Sequence, residues 1–433
     1  MGFAARILRT FLLFLIIIIF LQLSLRIAYA TNGLNLIGYG AESLGIGGAD
    51  IAVSDDFSSM NINPAGLSRI RLGEAGLSIS YLKPSLVHSG KSGEDEPILL
   101  PDFGTAYRLK DSPVTIGIGL FTQGGVSTDF KDIPTPFGNT DRTSSFIRHV
   151  KITPSVAYQV SDRTSFGIAA NISYLDTALR LFPNTSNSFF SGFETDDRCS
   201  DSLGLGAPGS CAWGVGYGAR VGLLYAVNEV VSIGATYNSP IRFDLSDGDI
   251  TFNLSGLGNV TYDAEIKGIE WPQEAGIGIS VTPVKKLIVS FDIVWINWNS
   301  ALNTVTINAT NPDNQAALPN ISLPLKFDWR DQYVFAIGIQ YMPASSLTLR
   351  GGYNFGRNPV PTETLTPLAP LIVEQHFTAG AEYALTEGVD LGLSIMYAPK
   401  NKEISSQNPT LFGPGAEESV GGYLIDAMVN YRF

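Results

Sequence analysis

The residues best suited to chemistry in this chain are charged side chains set into apolar, strand-like segments. Arg350, Glu382 and Asp292 alternate with apolar neighbours, and Glu274 and Asp426 share this placement. Successive side chains of a strand point to opposite faces, so these residues are expected on the face opposite the apolar one. We interpret them as internal ion pairs that hold the N-terminal part of the chain in place. Alternatively Arg350 binds a ligand carboxylate, which suits the forked guanidinium.

The sequence offers little for catalysis or cofactor binding. The three histidines, His88, His149 and His376, are isolated from any Ser–His–acid arrangement that could be placed on neighbouring strands. The glycine-rich run Gly45–Asp50 lacks the Lys-Ser/Thr ending of a phosphate-binding loop. We therefore predict a protein that is not an enzyme and holds no cofactor or metal.

Two cysteines, Cys199 and Cys211, flank a Gly/Ser-rich stretch of one long connection. Cysteines in an oxidising compartment usually pair. A disulfide that closes this loop is the prediction, and two free thiols are the alternative. A metal site is not expected, because no histidine lies nearby.

The same connection carries apolar residues where a solvated loop does not favour them: Leu181, Phe182, Phe189, Phe190 and Phe193. Exposed apolar patches commonly mark binding sites. One interpretation is therefore an outer groove that captures a hydrophobic ligand. The other is that these side chains pack the loop onto its neighbours.

The segment 1–30 has the features of an export signal. Arg6 and Arg9 precede the eleven-residue apolar run Phe11–Leu21, and Ala28-Tyr29-Ala30 follows as a cleavage site. A membrane anchor is the alternative, but eleven residues are too few for a bilayer that needs about 20. We predict an exported protein.

Composition excludes nucleic acid as a partner and favours a membrane barrel. Loss of the three arginines before residue 31 leaves 25 basic and 40 acidic residues, a net charge of −15, whereas nucleic-acid binding needs a basic face. Only 16% of residues are charged, against about 25% in soluble domains. An exported chain of this kind is either a secreted all-β protein or a closed barrel, the form in which strands satisfy their backbone groups in lipid.

Residues 73–433 are predicted to form an all-β, 14-stranded antiparallel transmembrane β-barrel. Six tight polar connections alternate with seven longer ones, so that fourteen strands have all short turns at one edge. Short turns opposite long loops are typical of outer-membrane barrels. The last strand, Gly421–Phe433, ends on an aromatic residue, which resembles the terminal signal for membrane insertion.

The stretch 31–72 is predicted to be a small N-terminal hatch that plugs this barrel. It contains seven glycines and no long alternation, and glycine permits the tight, irregular backbone that such a plug needs. A barrel of fourteen strands is wide enough to leave a lumen that something must fill.

Four motifs along the chain are similar to those of one family. They are NINPAGL (Asn61–Leu67), FDIVWINW (Phe291–Trp298), DWRDQYVFAIGIQY (Asp328–Tyr341) and TLRGGYNFGRNPVP (Thr348–Pro361). In this order they resemble the FadL/TodX family of outer-membrane transporters for hydrophobic compounds.

The resemblance implies a hatch motif at Asn63, Pro64 and Ala65. In one reading Asn63 bonds the barrel wall and Pro64 stiffens the corner; in the other, Asn-Pro is only a sharp turn.

The resemblance also implies the function: passive, hatch-gated passage of long-chain fatty acids or aromatic hydrocarbons across the outer membrane of a Gram-negative-type bacterium. The expected partners are a hydrophobic ligand, outer-membrane lipid and the barrel-assembly machinery, and the expected state is a monomer. A general porin for polar solutes is the main rival function, and a barrel lipase is a second.

Overall fold

The structure is a computed structural model that describes residues 32–94, 97–195, 211–406, 412 and 415–433. Most of the described residues are in β-strands, and a short N-terminal part with helical turns precedes them. The predicted signal, residues 1–30, lies outside the described residues. Among the residues described, no helix has the length and apolar character needed to cross a membrane.

The described chain contains twenty strands and four short helical segments. The strands are β1 (Gly73–His88), β2 (Lys91–Ser92), β3 (Ile98–Arg108), β4 (Val114–Pro134), β5 (Thr140–Ser161), β6 (Thr164–Asn187), β7 (Phe190–Thr195), β8 (Ala212–Ala226), β9 (Val231–Asn238), β10 (Ile241–Leu254), β11 (Gly258–Trp271), β12 (Glu274–Val284), β13 (Leu287–Ile296), β14 (Thr304–Thr310), β15 (Asn320–Lys326), β16 (Gln332–Ala344), β17 (Leu347–Gly356), β18 (Gln375–Thr386), β19 (Val389–Ile404) and β20 (Glu417–Arg432). The helices are α1 (Gly40–Gly45) and α2 (Trp298–Ala301), and two 3-10 segments span Phe57–Met60 and Pro64–Arg69.

The strands form one antiparallel sheet that closes into a ring. Around the ring the order is β1, β3, β4, β5, β6, β8, β9, β12, β13, β16, β17, β18, β19 and β20. β20 then pairs with β1 along their whole length, from Arg432 opposite Glu74 to Glu418 opposite His88. Closure removes the free strand edges that would otherwise expose unpaired backbone groups.

The period-two pattern of the sequence places apolar side chains on the outside of the ring. On β1, Leu77 and Ile79 are exposed on the outer face, while Ser78 and Ser80 are buried inside. The same alternation recurs around the ring, so its outer surface is apolar. In a water-soluble sheet protein this face would be covered, whereas a barrel in lipid exposes it.

The two edges of the ring differ. One edge carries the short turns at 109–113, 162–163, 227–230, 285–286, 345–346 and 387–388, and we call it the short-turn edge. The other carries the longer connections, which contain strands that the sequence did not predict. There β7, β10, β11, β14 and β15 pair into an extension of the sheet. This long-loop edge therefore has a packed core of its own.

Residues 32–72 lie inside the ring, and we refer to them as the N-terminal segment. Most of their side chains are buried. Helix α1 contacts β17, β18, β19 and β20, and the 3-10 segment Pro64–Arg69 contacts β5, β6 and β8 on the other side. The segment thus crosses the lumen from wall to wall.

Candidate functional site

The wall of the ring is interrupted between β3 and β4. These strands pair only towards the short-turn edge, and their last pair is Phe103 with Leu120. Beyond this pair, β3 stays paired with β1, and β4 stays paired with β5. No pairing is found between the remaining described parts of the two strands, Ile98–Asp102 and Phe121–Pro134. We call this interruption the wall gap.

Five residues at the base of the wall gap explain why the ladder stops. Pro101 has no N–H to donate to a neighbouring strand. Thr122 instead bonds through its side chain to the Pro101 carbonyl (2.9 Å), and its N–H donates to Asp102 Oδ1 (2.8 Å). Gly124 and Gly125 follow with φ of +143° and +153°, beside a register shift against β5. Such irregularities bend a strand away from its neighbour.

The wall gap encloses an apolar cavity of about 520 Å³, which we call the wall cavity. It extends through the wall, because its lining includes both lumen-facing and outward-facing side chains. The lumen-facing ones include Leu36, Leu82, Leu100, Val126, Lys151, Ser173 and Leu371, and the outward-facing ones include Leu99, Leu120, Val150, Ile152 and Ile172. An apolar molecule in this cavity is in contact with the lumen and with the outer surface of the ring.

The start of the N-terminal segment lies directly against the wall gap. Asn35 forms a β-bridge with Gly124, and the Gly125 N–H donates to the Leu34 carbonyl (3.2 Å). A side chain at Gly124 would collide with this carbonyl, since a Cβ there would lie 1.9 Å from the Leu34 oxygen. The segment and the bent strand are therefore mechanically linked.

A second apolar space, of about 40 Å³, lies under the long loops. Trp271 and Trp329 line it, and Trp298 joins them edge to face at ring-centroid distances of 6.3 and 5.1 Å. Ile147 lines both this space and the wall cavity. In the N-terminal segment, Leu34 lines this space and Leu36 lines the wall cavity. The two apolar spaces are thus neighbours.

The third space is polar and lies on the short-turn side of the N-terminal segment. This polar cavity has a volume of about 370 Å³. Its charged lining residues are Glu42, Asp50, Asp55, Asp56, Arg69, Arg350, Glu382 and Arg432. An apolar molecule would therefore find charged groups here, in contrast to the apolar lining of the other two spaces.

Arg350 fastens the N-terminal segment to the wall at this cavity. Its guanidinium bonds Glu42 of α1 (2.6 Å), Glu382 of β18 (3.0 Å) and the Gln340 side chain (3.0 Å). The internal location expected for Arg350 and Glu382 is what the structure has. Because two carboxylates already hold the guanidinium, the alternative that Arg350 receives a ligand carboxylate has no support in this geometry.

A second ion pair holds the opposite side of the segment. Arg220 bonds Glu274 (2.9 Å) and the Ile62 carbonyl (3.0 Å), and Glu274 also accepts from the Asn35 side chain (2.7 Å). Sequence reasoning missed Arg220, although its alternation with apolar neighbours was a usable signal. Asp292, on the inner face as expected, accepts from the Ile51 N–H (2.8 Å).

Asp426 departs from the expectation that it holds the N-terminal segment. It accepts from the Ser78 and Ser80 hydroxyls of neighbouring β1, both at 2.5 Å. Its hydrogen bonds therefore stabilise the seam at which the ring closes.

The motif Asn63-Pro64-Ala65 begins a 3-10 segment against the wall. The Asn63 side chain donates to the Leu223 carbonyl of β8 (3.1 Å) and to the Ile51 carbonyl (2.8 Å). Wall glycines make room for it, since a Cβ on Gly222 would lie 2.0 Å from Asn63 Oδ1. The corner is thus bonded to the wall in addition to being a turn.

Burial changes the acidity of carboxyl groups in the segment. Loss of solvent raises the pKa of Asp50 to about 6, against the opposing hydrogen bond from Ser43. Burial also raises the pKa of Asp56 well above its usual value. The charged form of each group is disfavoured in the seated segment.

The five apolar residues predicted to form an outer groove do not lie together on the surface. Leu181, Phe182 and Phe193 are buried in the core under the long loops, which corrects the groove hypothesis for these three. Phe189 is 95% exposed, and half-buried Phe190 stacks on Phe137 at 5.0 Å. Packing of the loop accounts for the buried three, because β6, β7 and β10 pair there.

Cys211 is disulfide-bonded. Its predicted partner, Cys199, lies outside the described residues, and the pairing of these two stays a prediction.

Comparison with known proteins identifies the family. The family described as outer membrane protein transport protein (OMPP1/FadL/TodX) matches residues 28–433. The chain belongs to this family. The long-chain fatty acid transport protein of Escherichia coli K12 is 21% identical over 419 residues, which cover 88% of this chain and 90% of the relative.

Solved structures of similar fold include two toluene transporters. TodX of P. putida has a TM-score of 0.75 at 20% identity, over 92% of this chain and 98% of TodX. TbuX of Ralstonia pickettii has a TM-score of 0.73 at 21% identity, over 92% and 99%. Membership of the OMPP1/FadL/TodX family makes this chain an outer-membrane transport protein, which confirms the predicted location and the expectation of a transporter instead of an enzyme.

Proposed function

We propose that this protein passes hydrophobic molecules from the cell exterior through the wall gap into the outer membrane. The observation that carries the proposal is the wall cavity, which is apolar and is lined on both sides of the wall. On this route the ligand passes the inner apolar space beside Trp271 and Trp329 before it reaches the wall cavity. The relatives transport long-chain fatty acids or toluene by name; we propose the same two classes, long-chain fatty acids and aromatic hydrocarbons, here.

The proposed barrel has fourteen membrane-crossing strands, namely those of the ring order given above. β2, β7, β10, β11, β14 and β15 then belong to extracellular loops. The single turn-rich edge and the apolar outer face support this division. Residues 31–72 are the proposed hatch, and their bonds to opposite walls through Arg350 and Arg220 support it.

Sideways exit is proposed in place of passage along the barrel axis. A ligand that moved axially would enter the polar cavity, whose lining carries at least Glu42, Asp50 and Arg350 as bonded polar groups. Replacing those contacts by an acyl chain or an aromatic ring leaves polar groups unsatisfied, at about 1–3 kcal/mol each. The bilayer beside the wall gap costs an apolar molecule nothing comparable, so transfer is passive and follows the ligand gradient.

The remaining partners follow from the same geometry. The apolar outer face supports outer-membrane lipid as the surrounding medium. Phe433 donates its N–H to the Gly73 carbonyl at the closing seam (3.0 Å), which supports recognition of the terminal strand by the barrel-assembly machinery. A ring that closes on itself supports a monomer.

Blocking the wall cavity tests the proposal. Val150→Trp places a large side chain in the cavity, and Val156→Trp is its control on the same outward face of β5, outside the lining. We expect uptake of radiolabelled oleate and toluene by cells that lack other transporters to fall several-fold in Val150→Trp and to stay unchanged in the control. Equal uptake by both variants contradicts sideways exit.

The porin alternative is tested in the same preparation. A general porin conducts small ions through planar bilayers with the hatch in place. The proposed function requires that wild-type protein be nearly non-conducting, because the N-terminal segment crosses the lumen.

A further inference from the structure

The wall cavity is lined by two charged side chains, Arg148 and Lys151. Arg148 is held by Asp176 in an ion pair, so Lys151 is the charged group that this apolar cavity does not explain. Lys151 points into it from β5 and is 1% exposed. Among the described residues, no hydrogen-bond partner is found for its Nζ. An ammonium group buried without a partner is costly by several kcal/mol. A buried ammonium group that has no hydrogen-bond partner in the described part of the chain is better suited to a ligand than to the fold.

A hydroxyl group beside Lys151 has the same properties. Ser173 is the residue of β6 that pairs directly with Lys151, it lines the same cavity, and it is 1% exposed. Its Oγ also lacks a partner among the described residues. Opposite residues of an antiparallel pair have Cβ atoms about 4.5–5.5 Å apart, so both side chains reach one bound group.

The charges nearest to Lys151 do not supply its counter-ion. Glu274 and Arg220 are the groups that act on it electrostatically. Both Glu274 oxygens are engaged, one by Arg220 and the other by Asn35. The protein therefore neutralises Arg220 and leaves Lys151 free to bind an anion.

We propose that Lys151 and Ser173 form a binding site for a single carboxylate, and that the preferred ligand is an acid with an apolar tail. This inference rests on the proposed function and narrows its substrate class. The ammonium and the hydroxyl donate to the carboxylate, while the tail occupies the apolar lining towards Val150 and Ile152. The acid then leaves tail-first, because the head stays at Lys151 while the tail enters the membrane.

Affinity for an acid and for an alcohol of the same length tests the site. Dissociation constants of dodecanoate and 1-dodecanol are measured on the full mature chain in detergent, for wild type, Lys151→Met, Lys151→Arg, Ser173→Ala and Thr153→Val. Thr153 is the control, because its hydroxyl is also buried and unpartnered within the described chain but lies outside the cavity lining.

We expect Lys151→Met to weaken dodecanoate at least about tenfold and to leave 1-dodecanol within about twofold, since hydrogen bonds to charged groups are worth 10-fold or more. Ser173→Ala should weaken dodecanoate about threefold, Lys151→Arg should retain the preference for the acid, and Thr153→Val should change neither constant.

An unchanged ratio of the two constants in Lys151→Met overturns the carboxylate site while leaving apolar transport intact. If wild type binds neither compound, the proposed function itself fails. The direction of exit has a separate readout: dodecanoate with a photoreactive group at its tail end should label the outward-facing Val150 and Ile152, and labelling of the lumen-facing Leu36 and Leu82 instead overturns tail-first exit.

Discussion

The two cavities on either side of the N-terminal segment have opposite chemistry within one ring of strands. The wall cavity is lined mostly by apolar side chains, and its buried polar groups Lys151 and Ser173 have no hydrogen-bond partner in the described part of the chain. The polar cavity is lined by acids and arginines, and Arg350 there bonds two carboxylates. The contrast shows that ionic contacts hold the N-terminal segment in place, whereas the route proposed for an apolar ligand is lined by apolar surface.

The largest expected effect comes from removing the central cation of the polar cavity. Arg350→Met leaves Glu42 and Glu382 buried without a counter-ion, a change that costs about 3–5 kcal/mol. We expect the N-terminal segment to leave its seat and the barrel to conduct ions, as measured in planar bilayers. Arg330→Met is the control, since its pair with Glu363 is exposed. If the Arg350→Met barrel does not conduct ions, the ion pairs of Arg350 are not needed to hold the N-terminal segment.

The next effect is a dependence on pH that belongs to the polar cavity alone. Asp50 has a pKa of about 6 when seated, against 3.8 when free. Its charged form is disfavoured in the seated state, so seating is strongest below about pH 4, weakens as pH rises towards 6, and stays weak above it by about 3 kcal/mol.

Asp50→Asn should therefore increase protection of segment amides at pH 7.5 and change little at pH 4. The measurement is hydrogen exchange, corrected for the intrinsic rate at each pH. Asp50 receives a hydrogen bond from Ser43, and Asp292 and Arg220 act on it from the wall. The same hydrogen-exchange measurement on Asp292→Asn separates the contribution of Asp292 to this pH dependence from that of Asp50. Equal protection of wild type and Asp50→Asn at pH 7.5 refutes the prediction.

A smaller effect is expected at the base of the wall gap. Asp102→Ala removes the side chain that accepts the Thr122 N–H. Among the described residues, Thr122 is paired with Val150 of β5 but with no residue of β3. An unsatisfied buried donor costs about 1–3 kcal/mol, and Asp102→Asn, which keeps an acceptor, should cost less. Urea unfolding in lipid vesicles gives both values. A loss in Asp102→Asn as large as in Asp102→Ala would indicate that the charge, and not the acceptor, is required.

The smallest effect is expected at the long-loop surface. Phe189→Ser and Phe190→Ser remove the two phenylalanines of the predicted groove that are not buried. If they capture ligand, the concentration for half-maximal oleate uptake should rise about twofold to threefold, by the loss of part of one apolar contact each. If the concentration for half-maximal uptake is unchanged, these two side chains serve only to pack the loop, as Phe182 and Phe193 do.

Local sequence pattern was sufficient for the ring and for its inward-facing charges. Alternation with a period of two depends only on neighbouring residues, and it placed Arg350, Glu382 and Asp292 on the inner face. Tight turns and a glycine-rich start likewise needed no knowledge of distant contacts. The family motifs agreed with this pattern, since they mark strands and the corner at Asn63.

The positions of the cavities depended on contacts that no local pattern encodes. The wall gap exists because Pro101 and Thr122 come from neighbouring strands and fail to form a ladder. Phe182 and Phe193 became core because β10 from a later loop packs over them. Lys151 has no hydrogen-bond partner within the described residues, because Glu274, far along the chain, bonds Arg220 and Asn35 instead. Pairing partners are chosen across the closed ring, so only the tertiary structure decides them.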